Sequence, residues 1–402
     1  SGPTLAIFGL LFMAVFWGIP GVLQNSELIS AIPMEGGVYQ WYKKSWGDYW
    51  GFQLGWLEWL TWMFDAALYP TLLAEYFVIF IWPEAPVSVS WGLTLSMIWL
   101  TVIVNLRGVE LVGPLFNVLT WLQIIPVTLF VYYGVGLNDL DVYTSLHLPP
   151  QTDLTTAVVF ALIFGVWNFS GYSGLASAAD EIEDIESNYP KALTVTLMLS
   201  VVVYVIPLMI GIAVNPNWNL WSEAQLNLVA LALGGTAFAW WFNLAAQTSN
   251  FGLINGEMLL MSHLLKAISD DGHLPNFISK TNSKYDTPVG ALVTQGLVLS
   301  IMTMSMNFVD LLVVGTWISI PLYIIGFFVF ISLRYTHPEL PRPFKVSGGM
   351  IFPWITVIVP TFIALFIVTN PVERINNASG NVARVTANPL EKAAVEHHGR
   401  SL

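Results

Sequence analysis

Apolar residues dominate this chain in ten runs, with polar residues gathered between them. The runs cover about residues 4–23, 50–82, 89–105, 113–136, 154–179, 190–214, 226–262, 288–307, 309–333 and 349–369. Each is long enough to cross roughly 30 Å of hydrocarbon as a helix. Most carry an internal proline: Pro20, Pro70, Pro126, Pro207, Pro321 or Pro360. Membrane helices tolerate proline, and it often marks a kink. The pattern predicts an all-α membrane protein with about ten spans.

One run does not stay apolar. In 154–179 the helix-forming stretch Val158 to Val166 gives way to Trp167-Asn168-Phe169-Ser170-Gly171-Tyr172-Ser173-Gly174, and then to an acidic exit. Lipid gives a Gly- and Ser-rich patch nothing to bond with at that depth. Backbone leaves a helix inside a membrane only where it is buried in protein or lines a cavity. Broken helices at the midplane are where secondary transporters bind substrate and ions. Unwound N–H and C=O groups and half-helix dipoles then hold a carboxylate or ammonium. The flat face of Trp167 suits a cation or an apolar side chain. Trp167, Asn168, Ser170, Gly171 and Ser173 are therefore expected to bind substrate. The competing role for such a patch is close helix packing.

The basic residues set a direction. Lys43 and Lys44, Arg107, Lys191, Lys266 with Lys280 and Lys284, and Arg334 with Arg342 and Lys345 fall only after odd-numbered runs. Loops after runs two, four, six and eight contain no Lys or Arg. By the positive-inside rule the basic loops are cytoplasmic. The polar segment 371–402 is expected to be disordered and extracellular, with Asn377 as a glycosylation acceptor.

Composition narrows the function. Only 10% of the 402 residues are charged, against about 25% in average soluble chains. The net charge of −12 comes from acidic loops, including Asp139, Asp141, Asp153 and the stretch 180–186. There is no basic patch, so nucleic acid is not an expected partner. Cysteine is absent, and His147, His263, His273, His337, His397 and His398 all fall in or beside loops or in the tail. Haem, di-iron and intramembrane zinc sites therefore lack ligands. No filter-like loop or charge ring suggests a channel. No enzyme activity, metal or cofactor is expected; the expected partners are the bilayer and a small molecule. Acids at membrane depth are costly and point to function. Asp65 is expected to bind an ammonium or carry a coupling proton, Glu257 to act in coupling, and Glu27 to act as a gate partner. Glu58 and Glu75 flank Asp65 by two and three turns.

Several motifs occur in a fixed order. They are Ile19-Pro20, Ser26-Glu27, Pro33-x-x-Gly36-Gly37-Val38-Tyr39-x-Trp41, Trp50-Gly51-Phe52-Gln53, Asp65-x-Ala67-Leu68-Tyr69-Pro70, Tyr189-Pro190-Lys191-Ala192-Leu193, Ser249-Asn250-x-Gly252 and Leu340-Pro341-Arg342-Pro343-Phe344. Together with the broken segment they make the chain resemble the amino acid–polyamine–organocation transporter superfamily, nearest its polyamine-uptake and L-type amino acid branch. The resemblance implies twelve helices, the first ten in two inverted five-helix repeats. Residues 1–136 would then supply helices two to five, 154–333 the complete second repeat, and 349–369 one further span, with the first and last helices lying outside these 402 residues. It also implies that Asn250 binds substrate beside the broken helix.

The resemblance implies secondary transport of amino acids or related organic amines by alternating access, in the plasma membrane, with an internal membrane as the alternative. The alternatives are a polyamine transporter and a non-transporting nutrient sensor on the same fold. Ser173 bears on the cargo. Relatives that carry polyamines often place an acid six residues after the aromatic, and a hydroxyl cannot neutralise a second ammonium. The span 113–136 lacks the Lys that some sodium-independent relatives use, offering Asn117, Thr120 and Gln123 instead. Coupling to proton or sodium stays open at this point.

Overall fold

The computed structural model of the protein describes residues 2–370, apart from 83, 138–147, 149–151, 219–220, 222–224, 283 and 286. The tail 371–402 with Asn377, and the loop acids Asp139 and Asp141, lie outside the described residues, as do the side chains of Asp180 and Glu181.

Every apolar run falls on a helix. In chain order these are α1 (Pro3–Ala31), α2 (Val38–Trp46), α3 (Asp48–Phe80), α4 (Val87–Asn105), α5 (Val109–Gly134), α6 (Leu154–Asn168), α7 (Ile185–Val214), α8 (Gln225–Asp270), α9 (Val289–Ser305), α10 (Phe308–Thr336) and α11 (Ile351–Thr369). Among the described residues, seven of them are long and apolar enough to cross a membrane: α1, α4, α5, α7, α8, α10 and α11. At 33 residues α3 is also long, but it carries Asp48, Glu58, Asp65 and Glu75. The helices α6 and α9 are shorter, at 15 and 17 residues. The added element is α2, whose period buries Val38, Tyr39, Trp41 and Tyr42 and leaves Lys43 and Lys44 in its last turn. A single span is predicted over 226–262; the structure instead breaks α8 at Gly235, with φ 73° and ψ −173°. Among the described residues, β pairing is limited to one isolated bridge between Thr281 and Pro288.

Small residues set the close contacts, as expected where lipid supplies no hydrophobic drive between helices. A Cβ on Gly9 of α1 would lie 2.9 Å from Ala161 Cβ of α6, and one on Gly165 would lie 2.4 Å from Met13 Cγ. Further along, α1 packs on α7, while α3 packs on α8 and α10 and α8 packs on α5. Inside α1, Ala14–Gly18 widens into a π-helical turn. Such turns often sit at functional sites, and this one aims Trp17 at the broken segment.

Basic residues from separate elements meet at one end of the bundle, gathered around three carboxylates. Glu27 of α1 accepts from Arg334 Nε at 2.8 Å, from Arg334 Nη2, and from the Val346 backbone N–H at 2.8 Å, with Arg342 Nε at 3.2 Å. Glu35, between α1 and α2, meets Lys266 Nζ at 2.6 Å and His263 Nδ1 at 2.8 Å on α8. Asp271, just past α8, meets Lys43 Nζ at 2.7 Å and accepts from the Tyr39 hydroxyl of α2. Burial alone would raise the Glu35 pKa, but the hydrogen bonds from His263 and Lys266 outweigh it and hold the carboxyl below its ordinary value. Asp271 is held low in the same way, by Lys43 and Tyr39 against burial.

Candidate functional site

The helix α6 stops at Asn168 because Phe169 (φ −115°, ψ 34°) leaves helical geometry and Gly171 sits at φ +89°. Any other L residue is strained at that φ. A 3₁₀ stretch, Gly174–Glu181, continues the chain. Among the described residues the backbone N–H groups of Ser170, Gly171, Tyr172 and Ser173 have no backbone acceptor. The segment is thus unwound, as its composition predicts. The packing role is present too: a Cβ on Gly174 would lie 2.6 Å from Trp62 Cη2, so the indole of α3 lies on glycine backbone.

The unwound segment faces a cavity of about 700 Å³ bounded by α3, α5, α6, α7, α8 and α10. Three carboxyl groups line it: Glu58, Asp65 and Glu257. Glu58 and Glu257 are buried, at 7% and 6% exposure, and Asp65 is half-buried. Asp65 accepts from Trp167 Nε1 at 3.0 Å and from the Tyr69 hydroxyl at 2.9 Å. The same hydroxyl lies 3.1 Å from Glu257 Oε1. Glu257 Oε2 and Asn250 Nδ2 are buried with no hydrogen-bond partner among the described residues. Glu58 accepts from Trp62 Nε1 and from the Ser173 hydroxyl, both at 3.2 Å. Among the described residues no Lys, Arg or His pairs with any of the three acids.

The structure sorts the residues expected to bind substrate. Trp167, Asn168, Ser170, Gly171, Asp65 and Asn250 all line the cavity, as does Glu257. Asn168 turns its amide back to the Phe164 carbonyl at 2.7 Å. Ser170 donates to the Val166 carbonyl and accepts from Trp17 Nε1 at 3.2 Å. These two side chains mainly shape the break. Ser173 lines a smaller adjoining chamber of about 50 Å³, which shares Glu58, Ser170, Leu322 and Tyr323 with the cavity. Glu27 lies away from both, within the ion-pair cluster at the bundle end. No ion pair joins Lys280 or Lys284 to Glu183, Asp184 or Glu186 among the described residues.

Trp62, Tyr69 and Tyr323 were not expected at the site. Glu58, Trp62, Asp65 and Tyr69 are spaced by four, three and four residues, which puts them on one face of a helix. That stripe is the signal that finds Trp62 and Tyr69; Tyr323, on α10, lies outside it.

The amino acid permease family model matches residues 1–386. The chain belongs to the amino acid permease family. This permease is 28% identical over 375 residues to a probable polyamine transporter of Arabidopsis thaliana, covering 92% of this chain and 73% of that protein. It is 30% identical over 354 residues to a polyamine transporter of Oryza sativa, covering 87% and 65%. It is 26% identical over 394 residues to a probable agmatine/putrescine antiporter of Lactococcus lactis, covering 89% and 82%. The permease's break at Gly171 and its acid-lined cavity are the features that its family membership must account for.

Proposed function

We propose that this permease carries amino acids or organic amines across a membrane, and that the cavity beside the broken α6 holds the cationic end of the cargo. One observation carries this reading: three carboxyl groups surround one cavity with no cation among the described residues to neutralise them. Burying an ionised carboxylate without a partner is costly unless a proton or a cation is supplied. An ammonium between Asp65 and the face of Trp167 supplies it, adding a cation–π contact of roughly 0.5–2 kcal/mol. The N–H groups of Ser170, Tyr172 and Ser173, which lack a backbone acceptor, offer a matching place for a carboxyl or carbonyl group on the same cargo.

Tyr69 supports a proton-coupled cycle. A phenol has one hydrogen to donate, yet its oxygen lies in hydrogen-bond range of both Asp65 and Glu257. One of the two contacts therefore needs a hydrogen brought by a carboxyl group. An arriving ammonium at Asp65 displaces that shared proton, which couples cargo to proton. The cavity runs along α10 from Leu311 to Tyr323, whereas the ion-paired end lies beyond it at Arg334. The ion pairs close that end, which by its basic loops faces the cytoplasm. Alternating access then requires them to separate.

The test is uptake of labelled leucine, arginine and putrescine into proteoliposomes. Asp65→Asn should abolish accumulation of every cargo the parent carries, and Gly171→Leu should do the same by filling the break. Parent-level uptake by either variant overturns the site. Binding by the parent without accumulation of any cargo favours a sensor over a transporter.

A further inference from the structure

The acid that Ser173 fails to supply is present, but it comes from another helix. We propose that Glu58 of α3 receives the second cationic head of a dicationic cargo whose first head sits at Asp65. This rests on reading the cavity as the transport site, and it names the residue that selects among its cargoes.

Three observations carry it. First, Glu58 Oε1 accepts the Ser173 hydroxyl at 3.2 Å, so its carboxylate occupies the neighbourhood an acid at 173 would fill. Second, Glu58 is buried with only neutral donors, Trp62 Nε1 and the hydroxyls of Ser173 and Tyr42, and pairs with no cation among the described residues. These three donors bring no positive charge and leave one of a carboxylate's four lone-pair sites open to a cation. Glu27 shows what a structural glutamate looks like in this protein, since two arginines and a backbone N–H saturate it. Third, the spacing fits. Glu58 and Asp65 are seven residues apart on α3, a rise of about 10.5 Å. An extended chain advances about 3.6 Å over three bonds, so the five bonds of a four-carbon α,ω-diamine cover about 6 Å. Two charge-assisted contacts of about 2.8 Å at the ends bring the reach to about 12 Å. The Trp62 side chain projects from α3 between the two acids, giving the methylene chain an apolar face.

Binding of butane-1,4-diamine and of butylamine to the full chain in detergent tests this, since butylamine has the same carbon chain and one charge. The parent should prefer the diamine. Glu58→Gln should weaken diamine binding by about tenfold or more, the scale of one lost charge-assisted contact, and leave butylamine within about twofold. That retained butylamine binding also shows the variant is folded. Combining Glu58→Gln with Ser173→Glu returns a carboxylate to the same chamber and should restore the preference. Equal loss of both ligands, or no change in either, overturns the role of Glu58. If Glu58→Gln does not fold, Glu58→Asp keeps the charge and should keep the preference; its loss equally for both ligands has the same overturning meaning. Asp65→Asn is read in parallel. Weakening of both ligands upholds the cavity whatever Glu58 does, whereas unchanged binding of both overturns the cavity itself.

Discussion

Glu27 and Glu58 are both buried glutamates, and their surroundings give them opposite duties. Glu27 is saturated by Arg334, Arg342 and the Val346 N–H. Breaking a buried pair leaves an uncompensated charge and costs about 3–5 kcal/mol. Glu27→Gln should therefore lower the thermal unfolding midpoint sharply while leaving the ratio of diamine to butylamine binding unchanged. Glu58 has no such partner, so Glu58→Gln should not lower the midpoint in the same assay. Tyr69→Phe removes the hydroxyl that touches both Asp65 and Glu257. Cargo binding should persist, whereas the pH dependence of uptake should shift or flatten; an unchanged pH profile removes Tyr69 from the coupling. Asp65 and Glu257 were legible in the sequence because a charge inside an apolar run is rare. The place of Glu58 was not, because its partner Ser173 is 115 positions away and nothing local links them. Judged along the chain, Ser173 argued against a second ammonium; judged in space, it stands beside a carboxylate.

At the scale of elements, two backbone features hold the site open. Gly171 makes the break in α6. Gly37 fixes the loop before α2 onto the 3₁₀ exit of that same break: it sits at φ +40°, and a Cβ there would lie 2.4 Å from the Ala176 carbonyl carbon. The neighbouring Gly36 N–H donates to the Ser177 carbonyl at 2.9 Å. Gly37→Ala should cost about 1–3 kcal/mol through backbone strain and lift the loop from the exit. Faster amide exchange confined to residues 32–37 and 174–181 is the expected signature, and protection equal to the parent would refute it. The Gly-Gly motif, the broken helix and the ten apolar runs could all be read from the sequence. The break in α8 at Gly235 could not, because an isolated glycine in a long apolar helix carries no sign of whether its φ will invert. Nor could the π turn that aims Trp17 at Ser170, since nothing in the composition of Ala14–Gly18 distinguishes a π turn from an α turn.

Across the whole molecule, ion pairs tie α1 to α10, the α1–α2 loop to α8, and α2 to the end of α8, all at one end. Glu35 and Asp271 are both held below their ordinary values of 4.5 and 3.8. A carboxyl held low in the folded state adds stability above its ordinary value and loses it as pH falls through the lower, folded value. The contact between Asp271 and Lys43 should thus be insensitive to pH between about 5 and 8 and should weaken only in stronger acid. Distance measurements between labels on α2 and the end of α8, taken from neutral to acid pH, check this; opening near pH 6 would contradict it. The sequence by itself determined the apolar runs, the alternating basic loops, the broken helix and the family, because each is a local pattern of composition and period. Tertiary structure decided which acids meet, which are neutralised and which wait for a cation. Those depend on how helices far apart in the chain pack, and a carboxylate's role is set by the charge and donors within a few ångströms of it rather than by its neighbours in sequence.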